Sequence, residues 1–186
     1  MQPHLYTVGH GARSLEELVA VLSSVRVTRL VDVRRFPGSR RHPHFGRDAL
    51  AVSLPAHGLA YDFRGDVFGG RRAPAPLSRH GAWREPAFRG YADHMDTDVF
   101  RAALATLIDD ATRDTIAIMC AETLWWQCHR RLISDALVAR GARVTHLLSA
   151  TSTQEHALAP DLVRVEGGWP VYDVGCLPNV FARQRT

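Results

Sequence analysis

The chain contains no lysine. All 23 of its basic side chains are arginines, among 186 residues with a formal net charge of +4. A Schiff-base lysine and a Walker-type phosphate lysine are therefore excluded. Any bound anion must be held by arginine, histidine, backbone N–H groups or a metal. The composition as such fits a GC-rich coding bias, and the modest net charge favours an anionic ligand without demanding one. Cysteine is scarce as well. Three residues form no disulfide-scaffold pattern, which points to a reducing cytoplasm. No apolar run is long enough to span a bilayer, and no membrane partner is expected. The opening Met-Gln-Pro-His-Leu-Tyr-Thr-Val has no basic start followed by a long apolar stretch, so a signal peptide is not expected. Internal repeats and low-complexity tracts are also missing.

What is present reads as one α/β domain over residues 1–186, a length that supports a full hydrophobic core. Strands are expected at Leu5–Val8, Arg29–Val33, Ala60–Phe63, Thr115–Met119 and Arg143–Leu148. Ser14-Leu-Glu-Glu17 has the capping-box form that opens a helix, with Leu15, Leu18, Val19 and Leu22 on one face. Further helices are expected from Asp48 to Ala56, after a cap at Asp96 or Thr97, and from the Leu132 region to a glycine cap at Gly141. The stretch from Gly65 to Pro86, rich in Gly, Pro and Arg, reads as a long loop. A short strand pair is expected around Gly167-Gly168. This alternation implies a mostly parallel sheet with helices on both faces, a Rossmann-like three-layer sandwich.

The segment Cys120-Ala-Glu122-Thr-Leu-Trp-Trp-Gln-Cys128-His129-Arg130-Arg131 lies between a strand and a helix. It gathers two thiols, a carboxylate, an imidazole and two guanidiniums at a strand's carboxyl end, where open α/β sheets bind ligands. Three readings of the thiols stay open. Cys128, near a helix N-terminus with His and Arg neighbours, is the better placed nucleophile. Cys120, Glu122, Cys128 and His129 together supply zinc or iron donors, although their spacing matches no zinc motif. The thiols could also simply be packed. A Cys-x5-Arg phosphate loop is excluded, because position 126 is Trp and position 134 is Ser. Glu122, expected to be partly desolvated, is the acid/base candidate, or else a salt-bridge partner of Arg130 or Arg131. Of Trp125 and Trp126, one is expected to stack on a base and one to pack.

Other polar clusters follow the other strands: Gly9-His10-Gly11, then Arg34 to Phe45, then Arg64-Gly-Asp66 and Gly69-Gly-Arg71-Arg72. In a parallel sheet these ends share one edge. Arg34, Arg40, Arg41, Arg71 and Arg130 suit phosphate oxygens, while His10, Asp32 and Phe45 complete a substrate-binding set. The run from Arg34 to Phe45 reads equally as a solvated loop. Asp32 reads better as an anchor for a nearby arginine than as a catalytic group.

At these residues the chain resembles the domain of unknown function 488 family. The matching stretches are Thr7-Val-Gly9-His10, Val31-Asp32-Val33-Arg34, Pro37-Gly-Ser39-Arg40, Pro43-His-Phe45, Gly69-Gly70-Arg71-Arg72, Phe88-Arg89-Gly90-Tyr91-Ala92-Asp93, Cys120-Ala-Glu122, Cys128-His129-Arg130 and Val165-Glu-Gly167-Gly168. The resemblance covers nearly the whole chain and implies a single cytoplasmic α/β domain. It implies no reaction. The chain departs from the family's habit at Gly11-Ala12, Gly46 and Trp125, and keeps the Cys, Glu, His and Arg set.

The expected function is an enzyme acting on a nucleotide, nucleoside or nucleic-acid base. In it the arginines hold phosphate, Glu122 works as acid/base, and Cys128, with Cys120, is nucleophile or metal ligand. A non-catalytic nucleic-acid-binding module is the alternative, and a thiol or metal sensor the third reading. The expected partner is a phosphate-bearing small molecule or nucleic acid.

Overall fold

The computed structural model describes residues 2–38, 41–159 and 162–173. Five apolar stretches become parallel strands: β1 (His4–Gly9), β2 (Arg29–Asp32), β3 (Ala60–Phe63), β4 (Ile116–Cys120) and β5 (Arg143–Leu147). A sixth, β6 (Thr153–Glu155), pairs antiparallel with β5 at one edge. The sheet order is β3-β2-β4-β1-β5-β6. A separate hairpin, β7 (Arg164–Glu166) and β8 (Trp169–Val171), forms at the expected glycine pair.

Helix α1 (Leu15–Ser23) starts at the anticipated capping box. The Ser14 hydroxyl accepts from the Glu17 N–H, and the Glu17 carboxylate accepts from the Ser14 N–H. α2 (Arg47–Ala56) leads into β3. The loop expected from Gly65 to Pro86 needs correction at both ends. A single helical turn, α3 (Gly65–Phe68), opens it, and Pro86 already begins α4 (Pro86–Met95). Proline fits the first turn of α4, where its missing N–H would have no partner in any case. Thr97 caps α5 (Asp98–Asp110) through the Phe100 N–H, and α6 (Arg130–Ala139) follows β4.

Alternating side chains of each strand feed two cores. Leu18, Leu22, Leu50 and Leu54 cover one face, over Val8, Leu30, Ala117 and Met119. Phe100, Leu104, Leu132 and Ile133 cover the other, over Leu5, Val31, Ile116 and Ile118. The result is a three-layer α/β sandwich. From β1 the chain crosses to one side of the sheet, and from β4 to the other. The crevice at such a switch of direction is where these sheets bind ligands. Gly9 and Cys120 are register partners at that point. Among the described residues, no helix is long and apolar enough to cross a membrane.

Candidate functional site

β4 is buried along its whole length and delivers Cys120 to the switch point. The chain then runs exposed through residues 121–124, tightens into a 3-10 turn at Trp125–Gln127, extends at Cys128 and enters α6. Arg130 fixes this path. Its guanidinium is buried and donates to the Glu122 and Thr123 carbonyls and to the Thr7 hydroxyl on β1. The loop lies so close to β1 that a Cβ on Gly9 would sit 1.9 Å from the Glu122 carbonyl oxygen. Glycine is therefore required there by close approach. Arg130 thus ties the loop to β1 and does not line the pocket described below, contrary to the phosphate-holding role expected of it.

The sulfurs occupy the floor of the crevice. The Arg130 N–H, in the first turn of α6, donates to Cys128 Sγ at 3.5 Å. His129 Nδ1 is 3.6 Å from that sulfur and 3.8 Å from Cys120 Sγ. His129 Nε2 donates to the Val33 carbonyl at 3.1 Å, which turns Nδ1 towards the thiols. Cys120 Sγ donates to Glu122 Oε2 at 2.8 Å.

These contacts separate the two thiols. Burial alone would raise Cys128, but the Cys120 hydrogen bond, the His129 imidazole and the Arg130 guanidinium outweigh it and hold the thiol well below its usual range. The same hydrogen bond, then burial and the nearby Cys128 and Glu122 charges, push Cys120 well up. Burial opposes the charged form of His129, and the Cys128 thiolate more than offsets it, leaving the imidazole pKa raised. Cys128 is thereby the more acidic of the two thiols, and Cys120 is the donor to Glu122.

A pocket of about 250 Å³ opens over this floor. Phe36, Phe88 and Tyr91 give it aromatic walls; Arg35 and Arg71 line it, as does Arg34, whose guanidinium is committed to Asp32, His10 and the Phe45 carbonyl. Phe36 is 65% exposed and lies between Arg35 and Arg71, at 5.5 and 6.0 Å from its ring centre. Arg71 adopts a left-handed backbone at φ 59°. A non-glycine residue held in that region marks a conformation imposed by its surroundings. Here the Arg71 carbonyl accepts from Arg35 Nη1 at 2.9 Å. The preceding Gly70 packs on the His129 ring, and a Cβ there would come within 3.1 Å of Nδ1.

The structure distributes the sequence candidates unevenly. Cys120, Glu122, Cys128, His129, Arg34 and Arg71 all line this pocket. Glu122 is exposed, so the desolvation expected for it is not found, and its Oε2 accepts from Cys120 Sγ. Its salt bridge to Arg130 or Arg131 is likewise not among the described ion pairs; Arg130 uses the Glu122 carbonyl instead. Asp32 is fully buried, with oxygens that accept from Arg34 and the Tyr61 hydroxyl. His10 and Phe45 sit on the opposite face of the sheet from the sulfurs, their tilted rings 4.2 Å apart. His10 Nε2 accepts from Arg34 Nη1, and Phe45 gives its carbonyl to Arg34 Nη2. Arg41 is exposed and engaged in a contact of its own, and Arg40 lies outside the described residues. Both tryptophans are half-buried, and Trp125 stacks on His146 at 4.1 Å. Sequence reasoning missed Phe36 and Tyr91. An aromatic directly after the strand-end arginines was the available signal for Phe36.

Cys120 Sγ, Cys128 Sγ and His129 Nδ1 lie within 4.8 Å of one another, and among the described residues they are the group able to hold a metal ion. Two thiolates and an imidazole suit zinc or ferrous iron and would leave a coordination position facing the pocket. The Val33 carbonyl is the kind of outer partner that orients a ligating histidine. Glu122 stands outside this group of three.

A family model described as domain of unknown function DUF488 matches residues 14–137. The chain belongs to this family. The match runs from α1 into α6 and includes every residue lining the pocket. No curated protein and no solved structure matches the chain significantly. The DUF488 description carries no activity, so function rests on the site itself.

Proposed function

We propose that this DUF488 protein is an enzyme that uses Cys128 as a nucleophile on a phosphate-bearing small molecule of the nucleotide or nucleoside type. The observation that carries the proposal is the position of Cys128 Sγ. It lies between the Arg130 N–H at the start of α6 and the His129 ring, on the floor of a pocket lined by three arginines. A thiolate formed this way would face the pocket. Arg35 and Arg71 would grip phosphate oxygens, and the exposed ring of Phe36 offers a stacking surface for a base. His129, as imidazolium, would protonate the leaving group. A non-catalytic nucleic-acid module is less well supported. It relies on Phe45, Trp125 and Trp126 as stacking surfaces, yet Phe45 is buried and Trp125 already lies against His146, which leaves the half-buried Trp126.

The test is protection from alkylation. Nucleotides at millimolar concentration should slow iodoacetamide labelling of Cys128, and Cys128→Ser should abolish any turnover found in a phosphorylated-substrate screen. Unprotected labelling, with full turnover by Cys128→Ser, would remove Cys128 from the chemistry.

One observation favours a second reading. The sulfur-to-nitrogen distances of 3.6 and 3.8 Å would let one tetrahedral ion bridge Cys120, Cys128 and His129. Elemental analysis of protein purified under reducing conditions decides it: about one zinc or iron per chain supports the metal centre, and less than about a tenth leaves the thiolate.

A further inference from the structure

The crevice floor holds two thiols, and each has a base of its own. Cys128 is served by His129 and the Arg130 N–H, while Cys120 donates to Glu122 Oε2 at 2.8 Å. The sulfurs come from different elements, the end of β4 and the approach to α6, yet lie within 4.8 Å of one another. Both line the same pocket. Glu122 is exposed, so a proton taken from Cys120 has a direct route to water. A single nucleophile paired with one imidazole gives no reason for this second thiol–carboxylate pair. Thiol–disulfide exchange does, because it needs one thiol to attack and a second to resolve.

We propose that Cys128 and Cys120 form an attacking and resolving pair that reduces the disulfide of a phosphate-bearing thiol, with Glu122 as the base for Cys120. The proposal rests on Cys128 being the nucleophile and names the electrophile. In the first step the Cys128 thiolate attacks one sulfur of the substrate R–S–S–R. A Cys128–S–S–R bond forms, the substrate S–S bond breaks, and one RS⁻ leaves and takes the proton of His129. In the second step Glu122 accepts the Cys120 proton, and the Cys120 sulfur attacks Cys128 Sγ. The Cys120–Cys128 disulfide forms and the second RS⁻ leaves, to be protonated from Glu122 or water. The protein dithiol has lost two electrons and the substrate disulfide has gained them. Two equivalents of a thiol reductant return the protein to the dithiol. Bonding requires the sulfurs to close to about 2.05 Å, and the pocket beside them leaves room for that movement. Arg35 and Arg71 select an anionic R group.

The full-length reduced protein is mixed with coenzyme A disulfide, quenched in acid, and read by intact mass and peptide mapping. The expected result is a Cys120–Cys128 bridge with two coenzyme A thiols released per chain. Cys120→Ser is expected to stop at a Cys128–coenzyme A mixed disulfide. Glu122→Gln should form that mixed disulfide and then close about a hundredfold more slowly than the wild type. The uncharged 2-hydroxyethyl disulfide should react at least about tenfold more slowly than coenzyme A disulfide. The proposal is overturned if the wild type holds the mixed disulfide as stably as Cys120→Ser, if the mapped bridge contains Cys176, or if the neutral disulfide reacts as fast. The wild-type mapping alone decides the central point, so it survives a variant that does not fold. If wild-type Cys128 reacts rapidly with iodoacetamide yet no bridge forms, Cys120 is not a resolving thiol and the nucleophile stands. If Cys128 is inert to both reagents, the nucleophile itself is lost.

Discussion

Two clusters of titratable side chains meet the carboxyl edge of the same sheet, one on each face. In the first, Asp32, Arg34, His10, Tyr61 and the Phe45 carbonyl satisfy one another completely. Both Asp32 oxygens accept from Arg34, Tyr61 adds its hydroxyl at 2.7 Å, and His10 takes the remaining guanidinium edge at 3.2 Å. In the second, Cys120, Cys128 and His129 have mainly one another and Glu122, and they face an open pocket. Both clusters follow strands, and both are rich in charge. What separates them is spare bonding capacity. A buried ion pair with every lone pair used is part of the scaffold, whereas a thiol at a helix start beside a cavity has bonding capacity left.

Substitutions should divide along that line. The largest effect is expected in the closed cluster. Asp32→Ala leaves the Arg34 charge buried without its partner and should cost about 3–5 kcal/mol in urea denaturation. The alkylation rate of Cys128 in the folded protein should stay unchanged. A loss below about 1 kcal/mol would mean that Arg34 finds water or another acceptor, and that the cluster is not closed.

The next effect is a pH dependence. Burial, then the Arg34 charge, lowers the His10 pKa from 6.5 to about 4. Between those values the unfolded chain binds more protons than the folded one, so stability is full above pH 6.5 and falls as pH drops towards 4. With allowance for screening, this His10 contribution to the acid loss is roughly 2 kcal/mol, and His10→Gln should remove it from the urea midpoints measured across that window. An identical acid limb in the variant would contradict the buried neutral ring.

The smallest effect belongs to the open pocket. Phe36→Ala or Arg71→Ala should weaken nucleotide binding about tenfold by calorimetry, near 1.4 kcal/mol, and leave the urea midpoint where it was. If stability falls while affinity holds, the exposed Phe36 ring is structural and the comparison fails on this side.

Much of this fold is legible in the sequence. Ile116 to Met119 and Leu5 to Val8 are buried runs with turn signals after them, and Ser14 and Glu17 announce α1 directly. β6 is not legible, because its three residues are polar and exposed and pair only at an edge. α4 is hidden by Gly90 and by the polar residues mixed through it. The reactive group is legible because Cys120, Glu122, Cys128 and His129 fall in a single segment. Their roles are not. The inward fold of Arg130 and the contact of the Glu122 carboxylate with Cys120 follow from the docking of a loop on β1. Phe36 and Tyr91 reach the pocket from segments far apart in the chain, Phe36 after β2 and Tyr91 on α4, which packs against α6.

The most direct test of the central claim is the pH dependence of iodoacetamide labelling, resolved thiol by thiol with peptide mass spectrometry on reduced, metal-free protein. The arrangement around α6 predicts that Cys128 reacts ahead of Cys120 and keeps reacting well below the ordinary thiol pKa of about 8.5. His129→Asn should push that profile back up. Labelling of Cys128 that titrates like an ordinary thiol, or that trails Cys120, would contradict it.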